Sequence, residues 1–278
     1  MSRLETKFAA LRAEGRGGLV TFVTAGDPNA DVSAEILAGL PAAGADIIEL
    51  GMPFTDPMAD GPSIELASGR ALANGQNMVK TLAMVSDFRK SDDETPIVLM
   101  GYYNPIHAYG RERFATDAAA AGVDGLILVD LPPEEEEEFR PFAEAAGIDI
   151  VRLIAPTSTD TRIGTLVENA SGFVYYVSVR GITGTSSAAA SDIASNVSRI
   201  RAQTDLPVAV GFGIRTPEQA AEVAAVADAS VVGTAIVEKI AGALDETGKP
   251  SPGVVSDTLT FVSELAAAVR GARAGASA

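Results

Sequence analysis

Residues 19–50 read LVTFVTAGDPNADVSAEILAGLPAAGADIIEL, and this stretch holds one complete unit of the pattern that decides the fold. It begins with an apolar run at 19–24, which predicts a buried strand. An alanine-rich segment at 29–43 predicts a helix that ends at Gly44. A second apolar run at 46–50 predicts the next strand. Two apolar strands joined by a helix in this way predict a parallel pair covered on its outer face.

The same alternation continues along the chain. Further strands are predicted at 96–100, 125–129, 148–154, 173–178, 207–210 and 229–232. Further helices are predicted at 62–73, 78–90, 112–121, 133–146, 161–170, 191–203, 217–227 and 236–244. The five glutamates at 134–138 are expected to face water in the first turn of the helix at 133–146. Eight such units in about 250 residues predict an α/β fold, a closed single-domain (β/α)8 TIM barrel, with an extra N-terminal helix at 2–14. A doubly wound open sheet is disfavoured because no Gly-x-Gly-x-x-Gly turn follows the first strand. We expect one domain at 1–270 and a disordered tail at 271–278.

Composition limits the classes of function. The chain has 278 residues, with 21 basic and 37 acidic side chains and a net charge of −16. Such an acidic chain without a basic run is a poor candidate for binding nucleic acid or an anionic membrane. No apolar stretch reaches the roughly 18 residues of a membrane helix, and the chain starts with a charged amphipathic segment that differs from a signal peptide. We therefore expect a cytoplasmic protein.

The available side chains limit the chemistry. Cysteine is absent and the single histidine is His107, which disfavours thiol nucleophiles, disulfides, histidine triads and multi-histidine metal sites. The five lysines lie in predicted helices or loops, so a Schiff base at the end of a barrel strand is disfavoured too. We expect a site without metal, in which carboxylates, hydroxyls and backbone amides do the chemistry.

The second strand carries a glutamate, Glu49, near its end and leads into a loop at 51–61 that is rich in proline and glycine. Burying a lone carboxylate costs on the order of several kcal/mol unless it is paired or neutral, so Glu49 needs a reason to be there. Asp60 lies at the far end of the loop, and together the two residues resemble an acid/base pair. On these residues alone, a hydrogen-bonded strand end at Glu49 and a helix cap at Asp60 are an equal alternative.

Three glycine-containing loops follow predicted strands near the end of the chain. They read GITG at 181–184, GFGI at 211–214 and GT at 233–234. In a barrel, the loops after the seventh and eighth strands often hold a phosphate through backbone N–H groups and a helix N-terminus. Turn glycines alone would explain each loop singly, but three converging loops favour a phosphate site.

With these motifs in place, the chain resembles the α subunit family of tryptophan synthase over essentially its whole length. The motifs that carry the resemblance are 24–28 (TAGDP), 49–62 (ELGMPFTDPMADGP), 102–105 (YYNP), 130–132 (DLP), 155–157 (APT), 181–184 (GITG) and 211–214 (GFGI). The resemblance implies a lyase of tryptophan biosynthesis that cleaves indole-3-glycerol phosphate into indole and glyceraldehyde 3-phosphate. It also implies that indole passes to a partner β subunit, which carries pyridoxal phosphate and condenses it with serine.

The resemblance also implies roles for individual residues. Glu49 would be the catalytic acid/base, and the carboxylate of Asp60 would hydrogen-bond the indole N–H. Gly184, Gly213, Gly233 and Thr234 would hold the phosphate. The implied indole slot comprises Phe22, Met100, Ile127, Val129, Leu153, Tyr175 and Phe212, of which Phe22, Tyr175 and Phe212 are the favoured contacts. Thr183 would lie near Asp60 on a lid at 178–190, in which the role of Arg180 is left open.

The implied partner is a tryptophan synthase β subunit in an αββα heterotetramer. Contacts are expected through the loops around Asp56-Pro57 and Asn104-Pro105. The rest of this rim is expected on a loop after the third strand and comprises Tyr102, Tyr103 and His107, although for His107 alone an ordinary surface histidine is the favoured interpretation. No cofactor is expected in this chain itself.

Three other functions stay open at this point. A phosphosugar isomerase barrel would share the phosphate rim and would turn over open-chain sugar phosphates. A non-catalytic subunit would keep the fold only to activate its partner, although the Glu49 and Asp60 pair argues against it. A lyase that acts alone would release indole without a β subunit.

Overall fold

The computed structural model of the chain describes residues 2–178, 186–211 and 213–273, with the backbone alone at 186–190. Its strands are β1 (Gly18–Thr24), β2 (Ile47–Gly51), β3 (Ile97–Gly101), β4 (Gly125–Leu128), β5 (Asp149–Ile150), β6 (Arg152–Ile154), β7 (Val174–Val177), β8 (Val208–Gly211) and β9 (Ala229–Val232). Its α-helices are α1 (Arg3–Ala13), α2 (Ala30–Ala43), α3 (Pro62–Ala73), α4 (Met78–Phe88), α5 (Tyr103–Tyr109), α6 (Arg111–Ala121), α7 (Arg140–Ala145), α8 (Asp160–Val167), α9 (Ser186–Arg201), α10 (Pro217–Val226), α11 (Thr234–Gly242) and α12 (Val254–Gly271). A 3-10 helix spans Pro133–Glu138.

The strands form one parallel sheet that closes into a nearly complete barrel. Their order is β5-β4-β3-β2-β1-β9-β8-β7-β6, and every paired strand runs parallel to its neighbour. The two ends of this order, β5 and β6, are consecutive pieces of one strand on either side of Val151. The first piece pairs with β4 and the second with β7, so the predicted eight-stranded TIM barrel is confirmed.

Successive residues of each strand point alternately into the barrel and outward toward the helices. In β2, Ile48 and Leu50 pack outward in the main apolar core, whereas Ile47 packs inside the barrel. Glu49 has the same parity as Ile47. The alternation therefore points Glu49 into the barrel, close to the carboxyl end of its strand.

The predicted N-terminal helix is confirmed as α1, which closes the opposite end of the barrel. Leu4, Phe8 and Leu11 are buried and join the apolar cluster inside the barrel. Gly18 permits this approach, because a Cβ there would lie 2.7 Å from Cδ1 of Leu11. The mouth at the carboxyl ends of the strands is the end left for a ligand.

The segment after β3 was expected to be a loop, and this prediction is wrong. It contains the helix α5, whose first backbone N–H, that of Tyr103, donates to Oδ1 of Asp130 at 2.8 Å. Pro105 falls in the first turn, where a missing N–H costs nothing. Ile106 is fully buried and fixes the helix on the core.

The predicted helix at 133–146 is split into the 3-10 helix and α7. Pro141 is acceptable only in the first turn of α7, and Phe139, with φ −123°, breaks the helix before it. The glutamates at 134–138 were expected to face water, which is wrong for Glu136. Glu136 is 1% exposed and forms a buried ion pair with Arg152 on β6.

The end of the chain forms a helix that was not predicted from the sequence, α12. It packs against α2 and α10 on the outside of the barrel. Beyond it, Nε of Arg273 donates to the carbonyl of Ala224 at 2.9 Å. The disordered tail at 271–278 stays a prediction, since residues 274–278 lie outside the described part of the chain. Within the described ranges, no helix is both long enough and apolar enough to cross a bilayer.

Candidate active site

A cavity of about 270 Å³ opens at the carboxyl ends of the strands. Seven strands or the residues directly after them contribute to its wall, and α3 and the loop before it cover one side. The lining residues are Phe22, Glu49, Gly51, Met52, Ala59, Asp60, Gly61, Ile64, Ser68, Met100, Gly101, Val129, Leu153, Tyr175, Val177, Gly213, Ile214, Val231, Gly233 and Thr234. Most of this wall is apolar, and two carboxylates stand in it.

Glu49 is a buried carboxyl group on the cavity wall. The residue is 1% exposed, and its Oε1 has no hydrogen-bond partner within the part of the chain that the structure describes. Burial raises the pKa of Glu49 to about 8. Because burial disfavours the charged form, Glu49 is mainly protonated at neutral pH and is able to donate a proton.

Two neighbours on the strands shape the surroundings of Glu49. Phe22 on β1 is its register partner, and the Phe22 ring occupies the space beside Gly51, where a Cβ would lie 2.6 Å from Cζ. Tyr175 on β7 is buried, and its pKa is raised by burial and by the charge of Glu49. An aromatic ring and a neutral phenol therefore flank the carboxyl group.

Asp60 ends the loop between β2 and α3. Its backbone N–H donates to the carbonyl of Pro57 at 3.0 Å, and the N–H of Ala59 donates to the hydroxyl of Tyr102 at 3.0 Å. Burial raises the pKa of Asp60 to about 6, a hydrogen bond with Tyr102 lowers it, and the charge of Glu65 raises it. Asp60 is thus mainly ionised at neutral pH, while Glu49 is not.

The opposite rim of the cavity is made of backbone. Gly213 has φ 76°, a conformation that glycine adopts without strain. Gly233 is the N-cap of α11 and Thr234 is its first residue. Free N–H groups and the positive end of the helix dipole make such a rim favourable for an anion.

The structure brings most of the predicted site residues together. Those that line the cavity are Glu49, Asp60, Phe22, Met100, Tyr175, Gly213, Gly233 and Thr234, along with Val129 and Leu153. Ile127 does not line it: this residue is fully buried in the apolar cluster inside the barrel with Val20, Ile47 and Val98. Thr183, Gly184, Phe212 and Arg180 lie outside the described residues.

Several lining residues were missed in the sequence. Val177 and Val231 lie two positions from Tyr175 and Gly233, so strand alternation alone could have found them. Ile64 and Ser68 are four residues apart on α3, a spacing that puts both on one helix face. Tyr102, expected on the partner rim, is instead only 2% exposed and contacts the Asp60 loop.

The described residues include no group of three or more His, Cys, Asp or Glu side chains arranged to hold a metal ion. The arrangement offers a neutral carboxyl group, an ionised carboxylate, an apolar slot and an anion-binding rim in one cavity. The fold and this cavity together define a class of protein. It is a (β/α)8 barrel whose mouth is suited to acid–base chemistry on a phosphate ester that also carries an apolar group.

Comparison with known proteins identifies the family. The family model described as tryptophan synthase alpha chain matches residues 8–269. The chain is 56% identical over 276 residues to a tryptophan synthase alpha chain from Granulibacter bethesdensis, covering 99% of both sequences. The crystal structure of tryptophan synthase subunit alpha from Legionella pneumophila has a TM-score of 0.88 and 38% identity, over 97% of this chain and 98% of that one. A tryptophan synthase structure from Mycobacterium tuberculosis has a TM-score of 0.86 and 37% identity, over 97% and 98%.

The chain therefore belongs to the tryptophan synthase α chain family. It is a carbon–carbon lyase of tryptophan biosynthesis, and its reaction is the cleavage of indole-3-glycerol phosphate to indole and glyceraldehyde 3-phosphate. Members of this family work with a β subunit.

Proposed function

We propose that the chain performs this cleavage with Glu49 as the acid and base and Asp60 as the group that holds the indole N–H. The observation that carries the proposal is the burial of Glu49, an unsolvated carboxyl group with a pKa of about 8 on the wall of an apolar cavity. Its two protonation states are both accessible near neutral pH, as an acid/base group requires.

The protons balance with these two carboxyl groups. Neutral Glu49 donates its proton to the indole carbon that bears the glycerol chain, and positive charge develops at the indole nitrogen. The carboxylate of Asp60 accepts the N–H hydrogen bond and stabilises that charge. Glu49, now ionised, takes the proton of the neighbouring glycerol hydroxyl; the carbon–carbon bond breaks, its electron pair returns to the ring and an aldehyde forms. Glu49 ends protonated, as it began.

The apolar part of the wall suits an indole ring. Phe22, Met100 and Tyr175 are proposed as its contacts, since each lines the cavity from a strand of the barrel. Such a slot excludes water, which strengthens the charge interactions within it. The contacts expected from Thr183 and Phe212 stay predictions, and Ile127 is not proposed as a contact.

The phosphate is proposed to bind the backbone rim. Gly213 supplies a left-handed turn, and Gly233 and Thr234 supply N–H groups at the start of α11. Neutral amides suit a chain with a net charge of −16, because they hold an anion without adding cationic side chains. The contribution expected from Gly184 stays a prediction.

Gly213→Ala tests the rim. Alanine at φ 76° is strained by about 1 kcal/mol, so the loop should shift and KM for indole-3-glycerol phosphate should rise about five- to tenfold with kcat little changed. Steady-state indole release measures both constants. Gly248→Ala is the matched control, since Gly248 has φ 80° and a Cβ there meets nothing within 4 Å. An equal KM in the two variants would remove Gly213 from the phosphate site.

The experiment that tests the function is indole release from indole-3-glycerol phosphate by the purified chain, with Asp60→Asn and Glu49→Gln alongside. Slow release by the wild type and loss in both variants would support the proposal. An unchanged rate in Glu49→Gln would show that a group other than Glu49 moves the protons. If the wild type releases no indole with or without a β subunit, the lyase reading fails, and open-chain sugar phosphates become the substrates to test.

We also propose that the partner is a tryptophan synthase β subunit in an αββα heterotetramer. Asp56 and Asn104 are exposed, which supports contacts around Asp56-Pro57 and Asn104-Pro105. Met58, the residue after Pro57, is 86% exposed. Sedimentation of the chain with a β subunit tests the assembly, and protection of 53–60 and 103–109 from hydrogen exchange tests the surface. A thirty-fold rate increase on mixing corresponds to about 2 kcal/mol of coupling, whereas no increase would favour a lyase that acts alone.

Cofactor content and location complete the proposal. Acid–base transfer between two carboxyl groups needs no cofactor, so we propose that this chain carries none and that pyridoxal phosphate belongs to the β subunit. We propose a cytoplasmic location, where the partner and substrate would meet. An absorbance spectrum of the purified chain and fractionation of cells that express it test the two statements.

A further inference from the structure

Tyr102 is a buried aromatic residue that the reaction scheme above does not use. It directly follows β3 and is the N-cap residue of α5, so its backbone is fixed between a strand and a helix. The residue is 2% exposed, and its ring lies 5.5 Å from that of Phe54, centroid to centroid. Tyr102 therefore packs beneath the loop that carries Asp60, on the inside of the rim.

The hydroxyl group of Tyr102 is bound to that loop. It accepts the backbone N–H of Ala59 at 3.0 Å. A phenol has one proton to donate in addition to the lone pairs with which it accepts. Asp60 is the next residue of the loop, and the Tyr102 hydroxyl lowers the pKa of its carboxyl group, as a proton donor beside a carboxylate does.

We propose that Tyr102 is a positioning residue for Asp60: its hydroxyl fixes the loop through Ala59 and aims the Asp60 carboxylate at the indole N–H. The proposal rests on the function assigned to Asp60 above. Because Tyr102 directly follows β3, the position of Asp60 then depends on the third strand as well as on its own loop.

The same contact has a pH consequence. Burial raises the pKa of Tyr102 to about 12, so the phenol stays a donor across the working range. The groups that face Asp60 are Glu65 on α3, Tyr102 after β3 and Glu49 across the shared cavity. Tyr102 alone among these three lowers the pKa of Asp60, whose burial holds it at about 6.

Tyr102→Phe is the test, because it keeps the ring against Phe54 and removes only the hydroxyl. Asp60 must be ionised to accept the N–H, so a higher pKa removes activity first at low pH. We expect kcat for indole release to fall about tenfold at pH 7 and the acid limb of the kcat/KM profile to move up by about one pH unit. The loss should be greater at pH 6 than at pH 8.

Tyr109→Phe is the matched control. Its hydroxyl also donates to a carboxylate, that of Asp117 at 2.6 Å, but at the far end of α5. This variant should keep the wild-type profile. Carbon-13 NMR titration of Asp60 in wild type and Tyr102→Phe measures the shift without turnover, and thermal melting shows whether both variants are folded.

The double variant separates the possible causes. If Tyr102 acts through Asp60, Tyr102→Phe should cause little further loss in an Asp60→Asn background. A full tenfold loss in that background, or an acid limb that does not move, would overturn the proposal. A wild-type rate in Asp60→Asn alone would instead overturn the function assigned to Asp60, which is a different failure.

Discussion

Glu49→Gln is expected to release indole at least 10³-fold more slowly than the wild type, within the range of about 10²–10⁴ that a general acid and base contributes, since one group serves in both steps here. Glutamine keeps the shape and burial of the side chain but has no proton of suitable acidity. Single-turnover indole release with enzyme in excess measures the loss. Activity within tenfold of wild type would show that another group moves the protons.

The same substitution should stabilise the protein at high pH. The pKa of Glu49 rises from 4.5 in the unfolded chain to about 8 in the folded chain. Below pH 4.5 the folded and the unfolded chain both hold the proton, so Glu49 does not lower the free energy of unfolding there. As pH rises from 4.5 to 8, the unfolded chain releases the proton while the folded chain keeps it, and the free energy of unfolding falls. The full loss is on the order of 5 kcal/mol, and it is complete once pH passes the folded pKa.

Urea unfolding at several pH values measures this effect. The difference in free energy of unfolding between Glu49→Gln and wild type should grow from pH 5 to pH 9. Glu137→Gln, which changes an exposed glutamate in the same way, should show a constant difference. Parallel pH curves for wild type and Glu49→Gln would mean that Glu49 is solvated or paired in solution.

The barrel could be predicted from the sequence because its strands are short apolar runs in a regular alternation with helices. The strand at 229–232 has the predicted bounds, and the others differ by a residue or so at their ends. Glu49 stood out for the same reason, since a charge inside an apolar run is costly. The local pattern was therefore enough to predict both the fold and the acidic pair.

Features that depend on contacts between distant segments could not be predicted from the sequence. Strand alternation places Ile127 inside the barrel but does not give its depth. Tyr102 faces inward because Phe54, from another loop, packs against it. Glu136 looked like one of five solvated glutamates, and only the approach of Arg152 from β6 explains its burial. The helix α12 has apolar residues at helical spacing, but α11 already completes the eighth unit of the sequence pattern.

A large loss of stability is expected at the closed end of the barrel, at Asp124. This carboxylate is 5% exposed and accepts hydrogen bonds from Arg3 at 3.0 Å, from Arg89 at 2.6 Å and from the backbone N–H of Ile97 at 2.8 Å. Asp124→Ala leaves the largely buried Arg89 without this partner. We expect the free energy of unfolding to fall by about 3–5 kcal/mol, as for other buried ion pairs that lose one member.

Asp93→Ala is the matched control, because Asp93 also binds Arg3 but its side chain is 83% exposed. Its loss should stay below about 1 kcal/mol. If the cost of Asp124→Ala comes from an unpaired buried cation, the double variant Arg89→Ala, Asp124→Ala should recover part of it in urea unfolding at pH 7. A double variant as unstable as the sum of both single changes would instead assign the cost to the lost packing and to the unsatisfied N–H of Ile97. Because Asp124 precedes β4 and the cavity lies at the carboxyl ends of the strands, kcat per folded molecule should stay unchanged in either case.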